Sequence, residues 1–600
     1  MKLIIKKYGE KYKLIASIVL LIVLLTACNN SVDLPTNDET DAPTNGKTTE
    51  IYEQLFDINN KIEINIDISD EQLALLQEDY NKYAAMGSKS PIYRDTPMSI
   101  TITTAEGTNT YEFENVGIRM KGNTSRTDFY NDGRGKYNLI HFKIKFPEQF
   151  AGLEKLDIRW NKLDDATYIR EYYSYEFMRA CGILAPHSNL ASVKVSGVHE
   201  GVFTICEPID ELFIEKNLPE EEWDGDLYKC AWDEVGAMYT LDTTVGMENE
   251  ETGEFFNYDL KNNKKTSNHE LMNNLLAKLN DGDVTKEELA ELVDMDYFVK
   301  FAATSYFVGN PDDIRYNHNN HYIYFLKSSN KAIFIPCDND RCFGVTKEWN
   351  PTGDGMTSVN PFSTLADGAQ CEQASPLFKY TVDAGGYYID EYAAALKEVA
   401  KNEWLTSKKF NSVYEIAYNN YKDDAKPDKS FDNAGMNKFK FDNTSSGGLG
   451  STFGNASFAE YIDAKMSCYN DFISDISKYY EYVDMSNGGE SNNDQWMPED
   501  IGRGYSLRGT FNDWNMNEKY VMAYDSETNT YSHTLTLHSA EWMKIASNDD
   551  REWYGYDSIT GTADEAYISY DKEHYDIILE AGTYLITFDG NNNSIEIVKQ

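Results

Sequence analysis

The sequence predicts an α+β chain whose larger first part is β-rich early and helical late, followed by a small all-β sandwich. Three observations carry that prediction. The run from Lys61, KIEINIDI, alternates Ile62, Ile64, Ile66 and Ile68 with polar residues, which is the period of a half-buried strand. Thr285-Lys286-Glu287-Glu288 has the residues of a capping box and opens a helix through Leu292. A Gly/Asn/Ser stretch at 486–495 reads as a linker, and beyond it short strand-like runs alternate with turn signals.

In chain order, the amino terminus comes first. Lys2, Lys6, Lys7, Lys11 and Lys13 form a positive region ahead of the apolar run Leu14 to Ala27. A membrane-spanning helix needs about 20 apolar residues, so this run reads as the core of a signal peptide over 1–27. It ends Leu25-Thr26-Ala27-Cys28, which resembles the lipobox of bacterial lipoproteins and makes Cys28 the expected lipidation site. A polar tether (28–50), a large domain (51–484), a linker (485–498) and a terminal domain (499–600) are expected to follow. In the large domain SITITT and Phe142 to Phe146 add strands, and Ala332-Ile333-Phe334-Ile335 is an apolar strand of buried type.

Composition narrows the function classes. The 600 residues hold 55 Lys and Arg against 99 Asp and Glu, a formal net charge of −44. A chain this acidic lacks the basic face that supplies most affinity for nucleic acid polymers. With 41% hydrophobic and 13% aromatic residues it is also no disordered acidic polymer. Seven cysteines besides Cys28 leave at least one unpaired, and none has zinc-ligand spacing; Cys337 and Cys342 read as buried thiols.

Two constellations carry chemistry. Residues 116–146 hold seven cations against two acids, a local balance of +5, and include the run GIRMKGNTSR. Cations beside the exposed N–H groups of a Gly/Asn/Ser turn suit an anion; the alternative is a solvated strand face. The second constellation is acidic: Asn310-Pro311-Asp312-Asp313, then Asn317, Asn319 and Asn320, and the strand-end run Cys337-Asp338-Asn339-Asp340. Carboxylates and amides at a strand end suit a hard cation such as Mg²⁺, which takes oxygen ligands. A calcium loop starting at Asp338 fails, since its sixth residue is Phe343 rather than Gly and its twelfth Trp349 rather than Glu. Asx-turn and capping work is the structural alternative.

The ordered set of motifs resembles the spore-coat protein H (CotH) kinase family. The matching segments are GIRMKGNTS, FKIKF, Asp165 to Arg170, Val193 to Phe203, Glu207-Pro208-Ile209-Asp210, Gly225 to Lys229, GNPDD, NHYIY and IPCDNDRCFG. The resemblance implies a kinase-like, two-lobed domain that uses ATP with Mg²⁺ or Mn²⁺. It implies Asp312 as the catalytic Asp with Asp313 as the fallback, and Asn320, Asp338 and Asp340 as metal ligands. It further implies Arg119, Lys143 and Glu207 as nucleotide contacts. The chain departs from the family in having Cys337 before the first Asp of the DxD motif, and Leu139-Ile140-His141 ahead of the FKIKF strand.

Leu507 to Trp514 (LRGTFNDW) resembles the opening of starch-binding β-sandwich modules. That implies sugar contact through Trp553 or Tyr554, and through Trp514, with filling of the sandwich core as the alternative use of these rings. Two functions are expected in competition. One is a lipid-tethered, extracytoplasmic phosphotransferase that moves the γ-phosphate of ATP to a secreted or cell-surface protein. The other is a non-catalytic surface-binding or adhesion lipoprotein built on the same scaffold, holding a polysaccharide. Neither GxSxG nor HExxH occurs, so nothing points to a hydrolase.

Overall fold

The computed structural model describes residues 49–599 except 86, 123–125, 130–137, 164, 233–234, 250–253, 347–358, 364–374, 429–438, 445–455, 481–503, 513, 515–519, 526–527, 538–539, 548–552, 560–566 and 572–574. Cys28, nearly all of the tether and the 485–498 linker lie outside the described residues. The fold is mixed α+β, and the chain divides into two units, Met1–Tyr482 and Val483–Gln600.

The first unit begins with α1 (Glu50–Phe56), β1 (Lys61–Ile66), α2 (Asp70–Ala84), β2 (Arg94–Thr103) and β3 (Thr108–Lys121). There follow β4 (His141–Phe150), β5 (Leu153–Trp160), α3 (Arg170–Ala180), β6 (Ser188–Val195) and β7 (Val198–Cys206). The strands close a barrel in the order β1-β2-β3-β4-β5-β7-β6, sealed by parallel pairing of β6 with β1. Side chains on a strand alternate faces, so Ile62, Ile64 and Ile66 fill the barrel with Ile118, Ile144 and Leu156. The same alternation turns the opposite set outward. Arg119 lies across from Lys143, Lys143 across from Asp157, and Arg159 follows on the same face of β5.

The rest of the unit contains α4 (Glu211–Asn217), β8 (Leu227–Cys230), β9 (Val245–Gly246), β10 (Tyr258–Leu260), α5 (Glu270–Leu279) and α6 (Lys286–Leu292). It continues with α7 (Met295–Val308), β11 (His321–Phe325), β12 (Ala332–Pro336), α8 (Pro376–Thr381), α9 (Ile389–Val399), α10 (Ser407–Tyr421) and α11 (Phe458–Ile473). The capping box is formed: Thr285 caps α6 and Glu288 reaches back to it. The sheet order is β12-β11-β8-β10-β9. Helix α7 is buried on nearly every side, as its mostly apolar sequence requires, and packs against β12 and α9. It stops at Gly309, whose φ of 57° lets the chain turn left-handed into the GNPDD loop.

The second unit has β13 (Tyr505–Gly509), β14 (Ala523–Asp525), β15 (Thr530–Leu537), β16 (Glu541–Ser547) and β17 (Trp553–Tyr554). It ends with β18 (Ile568–Asp571), β19 (Asp576–Leu579), β20 (Gly582–Asp589) and β21 (Ser594–Lys599). One sheet runs β13-β16-β19-β18 with β17 on β16, the other β14-β15-β20-β21. Leu507, Ile545 and Ile577 from the first and Tyr584, Ile586 and Phe588 from the second share a single apolar cluster.

Candidate active site

The hairpin of β11 and β12 brings the acidic constellation together. His321 pairs with Pro336 at its open end, and the next residue pair is held by Cys337 N–H donating to the Asn320 carbonyl at 3.0 Å. Asn320 and Asp338 thereby emerge side by side, both with left-handed backbones (φ 49° and 54°). Such conformations cost free energy in non-glycine residues and cluster at functional sites.

Asp312 joins them through amides. The Asn320 Nδ2 donates to the Asp312 carbonyl at 2.9 Å and to its Oδ2 at 3.0 Å. The Asn317 and Asn319 amides donate to Oδ1 at 2.5 and 3.2 Å. Burial raises the Asp312 pKa, and these donors oppose the rise by favouring the carboxylate. Asp313 has different partners. It is buried, accepts from the Arg315 N–H at 2.8 Å, and burial pushes its carboxyl up to about 7.

The barrel supplies the opposite wall. Lys121 and Lys143 both reach Asp157, at 3.2 and 3.3 Å. Arg159 forks between Glu171 of α3 and Asp338. Tyr175 donates to Glu171 at 3.0 Å, and its hydroxyl accepts from the Asn339 N–H at 3.3 Å. The Asp338 loop is therefore tied to α3 twice. Against the effect of burial, Arg159, Lys121 and Lys229 hold Asp338 down to about 2. One guanidinium cannot neutralise every acid here. Burial, and then the charges of Asp338 and Glu171, push Asp340 well above the usual carboxylate range.

Of the nucleotide candidates, Lys143 stands on the basic wall, while Arg119 and Glu207 have other partners. Arg119 donates to the Ser90 carbonyl at 2.8 Å and its guanidinium lies over the Tyr93 ring. Lys143 is on the Asp157 face described above. Glu207 is fully buried, with Lys216 at 2.7 Å, the His187 N–H at 2.9 Å and the His187 ring at 3.0 Å. Arg159, Glu171, Lys121 and Lys229 escaped the sequence reading as site residues. Lys121 stands inside the basic stretch and Lys229 closes the GDLYK segment, but nothing local marks Arg159, whose partner Asp338 is 179 positions away.

The acids suit a hard cation. Among the described residues no three Asp, Glu, His or Cys side chains are grouped closely enough to hold a metal alone. Asp340, however, has no hydrogen bond or ion pair with a described residue, and its charge is opposed by its neighbours. Asn320 spends its amide nitrogen on Asp312, leaving its carbonyl oxygen as a donor atom. Two carboxylates and one amide oxygen fit Mg²⁺ or Mn²⁺, which keep waters and take substrate phosphates to complete the shell.

In the second unit Trp553 is exposed, 43% of its surface remaining open. Tyr554, next to it on the strand, turns inward: its ring packs on Phe588 at 4.7 Å and on Tyr505 at 6.0 Å. Trp514 has a left-handed backbone (φ 64°), is half-buried, and its N–H donates to the Gly509 carbonyl at 2.8 Å.

An amide-cradled aspartate and a strand-end acid pair thus stand together, with Arg159 of the barrel on Asp338. The family described as CotH kinase protein matches residues 118–443, more than half of the chain, and the chain belongs to that family. It is similar to the inner spore coat protein H of Bacillus subtilis (strain 168), 26% identical over 259 residues that cover 41% of this chain and 67% of that protein.

Proposed function

We propose that the chain is a surface-tethered, metal-dependent phosphotransferase of kinase-like, two-lobed architecture, which moves the ATP γ-phosphate to a hydroxyl of a secreted or cell-surface protein. The observation that carries this reading is the convergence of Asp312, Asn320, Asp338 and Asp340 opposite Lys121, Lys143 and Arg159. Asp338, Asp340 and the Asn320 carbonyl would hold the metal ion, which would supply charge neutralisation at the phosphates. Asp312, kept as an acceptor by the three amides, would orient the acceptor hydroxyl and take its proton. Lys121 and Lys143 share the single carboxylate of Asp157, so one positive charge is left for a phosphate. Proton transfer and positioning are the protein's share of such a reaction, because the phosphoryl group itself needs little covalent chemistry.

The place of action is read from the lipobox at Cys28 and from the name of the Bacillus relative. Among the described residues no helix is long and apolar enough to cross a membrane. The second unit would act as a β-sandwich module that holds a polysaccharide through Trp553, keeping the enzyme near its target.

Incubation of the purified chain with labelled ATP and Mn²⁺ tests the reading. Autophosphorylation, or labelling of a surface-protein extract, is expected from the native chain. Asp338→Ala and Asp312→Asn should each reduce it by at least roughly a hundredfold, the scale of lost acid–base or metal assistance. Equal labelling in Asp338→Ala would reject the proposal.

A further inference from the structure

An open cleft of about 430 Å³ lies between the barrel rim and the candidate site. Its walls carry His141 of β4, Arg159 and Trp160 of β5, Thr204 of β7, Tyr168 ahead of α3, and Asp340 of the site loop. Strand register brings the barrel residues there. Phe142 pairs with Ile158 and both fill the barrel, so His141 and Arg159 stand side by side on the outward face. Arg159 pairs in turn with Thr204, and His141 with Lys121 on its other side. The cleft thus joins a row of barrel side chains to an acid of the site.

Two buried nitrogens of this row lack hydrogen bonds. His141 is 8% exposed, and its Nδ1 has no partner among the described residues. Arg159 spends its terminal nitrogens on Asp338 and Glu171, but its Nε has no hydrogen-bond partner among them. Buried polar atoms left unpaired cost free energy that a ligand atom in the cleft would recover. Burial, and then Lys121 and Arg159, lower the His141 pKa to about 3, so the ring is neutral. A neutral imidazole carries one ring proton, which on Nδ1 makes a donor. The charges around the cleft select the ligand. Arg159, Lys162 and the His141 donor suit phosphate oxygens. Asp340 and Glu171 oppose a bare anion and suit a divalent cation carried with it.

We propose that this cleft seats a metal-bound phosphate group, with His141 Nδ1 and Arg159 Nε donating to its oxygens and Asp340 on the side of the metal ion. His141 is then a phosphate-binding residue of this chain. The inference deepens the phosphotransferase reading and rests on that reading's metal at Asp340. Neighbouring strands run about 4.8 Å apart, a spacing that lets both donors meet oxygens of one phosphate group. The chain departs from its family at Leu139-Ile140-His141, so family membership does not assign the imidazole.

Calorimetric titration of the full chain with inorganic tripolyphosphate and with ATP, in Mg²⁺ and in EDTA, tests the inference. His141→Phe keeps an aromatic ring beside Trp160, 6.4 Å away in the native chain, and removes the nitrogens. His141→Asn puts an amide N–H near the place of Nδ1. In Mg²⁺, His141→Phe should bind both ligands roughly tenfold more weakly, and His141→Asn should stay within about threefold of native. A second readout is ¹⁵N NMR of the histidine-labelled chain, in which the signal missing from His141→Phe should shift when Mg²⁺ and tripolyphosphate are added. Unchanged affinity in His141→Phe, or an unmoved His141 signal, would overturn the inference, even with phosphotransfer intact. A loss confined to ATP would put the contact on the nucleoside and overturn it too. So would native binding as tight in EDTA as in Mg²⁺, since the phosphate would then not be held beside Asp340. His141-dependent, Mg²⁺-dependent binding in a chain that transfers no phosphate would support the inference and remove the phosphotransferase reading.

Discussion

Asp312 and Asp313 are neighbours in the sequence and burial raises both carboxyls, but side-chain amides oppose the rise at Asp312, and the consequence at Asp313 can be measured. Asp313 is 6% exposed, and burial pushes its carboxyl up to about 7, well above the unfolded value of about 3.9. Between those values the folded state binds more protons than the unfolded one, so this group makes stability fall as pH rises from about 4 to 7. Asp313→Asn should remove that fall, keeping the acceptor for the Arg315 N–H. In urea unfolding it should gain about 2–4 kcal/mol on the native protein at pH 8, and the gain should vanish near pH 4. Glu207 has the reverse sign. Lys216 and His187 hold its carboxylate far below the usual range, overcoming burial. Its contribution is present above the unfolded value of about 4.3 and is lost as pH falls below it. Glu207→Gln leaves Lys216 buried without a counter-charge and should cost about 3–5 kcal/mol at pH 7, with a smaller difference near pH 2.

Elements hold the site where loops alone would not. Gly225 lies so close to β11 that a Cβ would fall 1.8 Å from the Phe325 carbonyl oxygen, a backbone atom that cannot swing aside. Gly225→Ala should separate β8 from β11 and destabilise the first unit by about 2 kcal/mol or more, read as a lowered urea midpoint. Arg170, fully buried at the start of α3, donates to the Phe343 carbonyl at 3.0 Å and the Ala456 carbonyl at 2.8 Å. It ties α3 and the loop after Asp340 to the approach to α11. Much of this level was legible in the sequence. The Ile62–Ile68 alternation, the Thr285 capping box and the apolar strand at 332 appear where local pattern places them, because each depends on residues within a few positions. The pairing of Arg159 with Asp338 and Glu171 was not legible. It arises from barrel closure, which carries β5 against the hairpin end, and no local period reports that.

For the molecule as a whole, the cores are separate. The clusters that fill the barrel and the helical region share no residue with the cluster centred on Leu507, Ile545 and Phe588. Scanning calorimetry of the full chain should resolve at least two transitions. Ile545→Ala should lower only one of them, by the equivalent of about 2–5 kcal/mol for a buried aliphatic truncation. A single transition shifted as a unit would contradict independent units. A net −44 disfavours long polyanions, yet Arg159, Lys121 and Lys229 bring positive charge to Asp338.

The sequence by itself determined the α+β class, the strand and helix periods, family membership and the order of Asp312, Asn320, Asp338 and Asp340. All of these are properties of neighbouring residues or of motif order along the chain. Only the tertiary structure decided which basic groups face those acids, that Glu207 belongs to Lys216 and His187, and that Tyr554 turns inward beside an exposed Trp553. Electrostatic partners and burial depend on distance in space, and closure of the barrel and pairing of the hairpin set those distances between residues far apart in sequence.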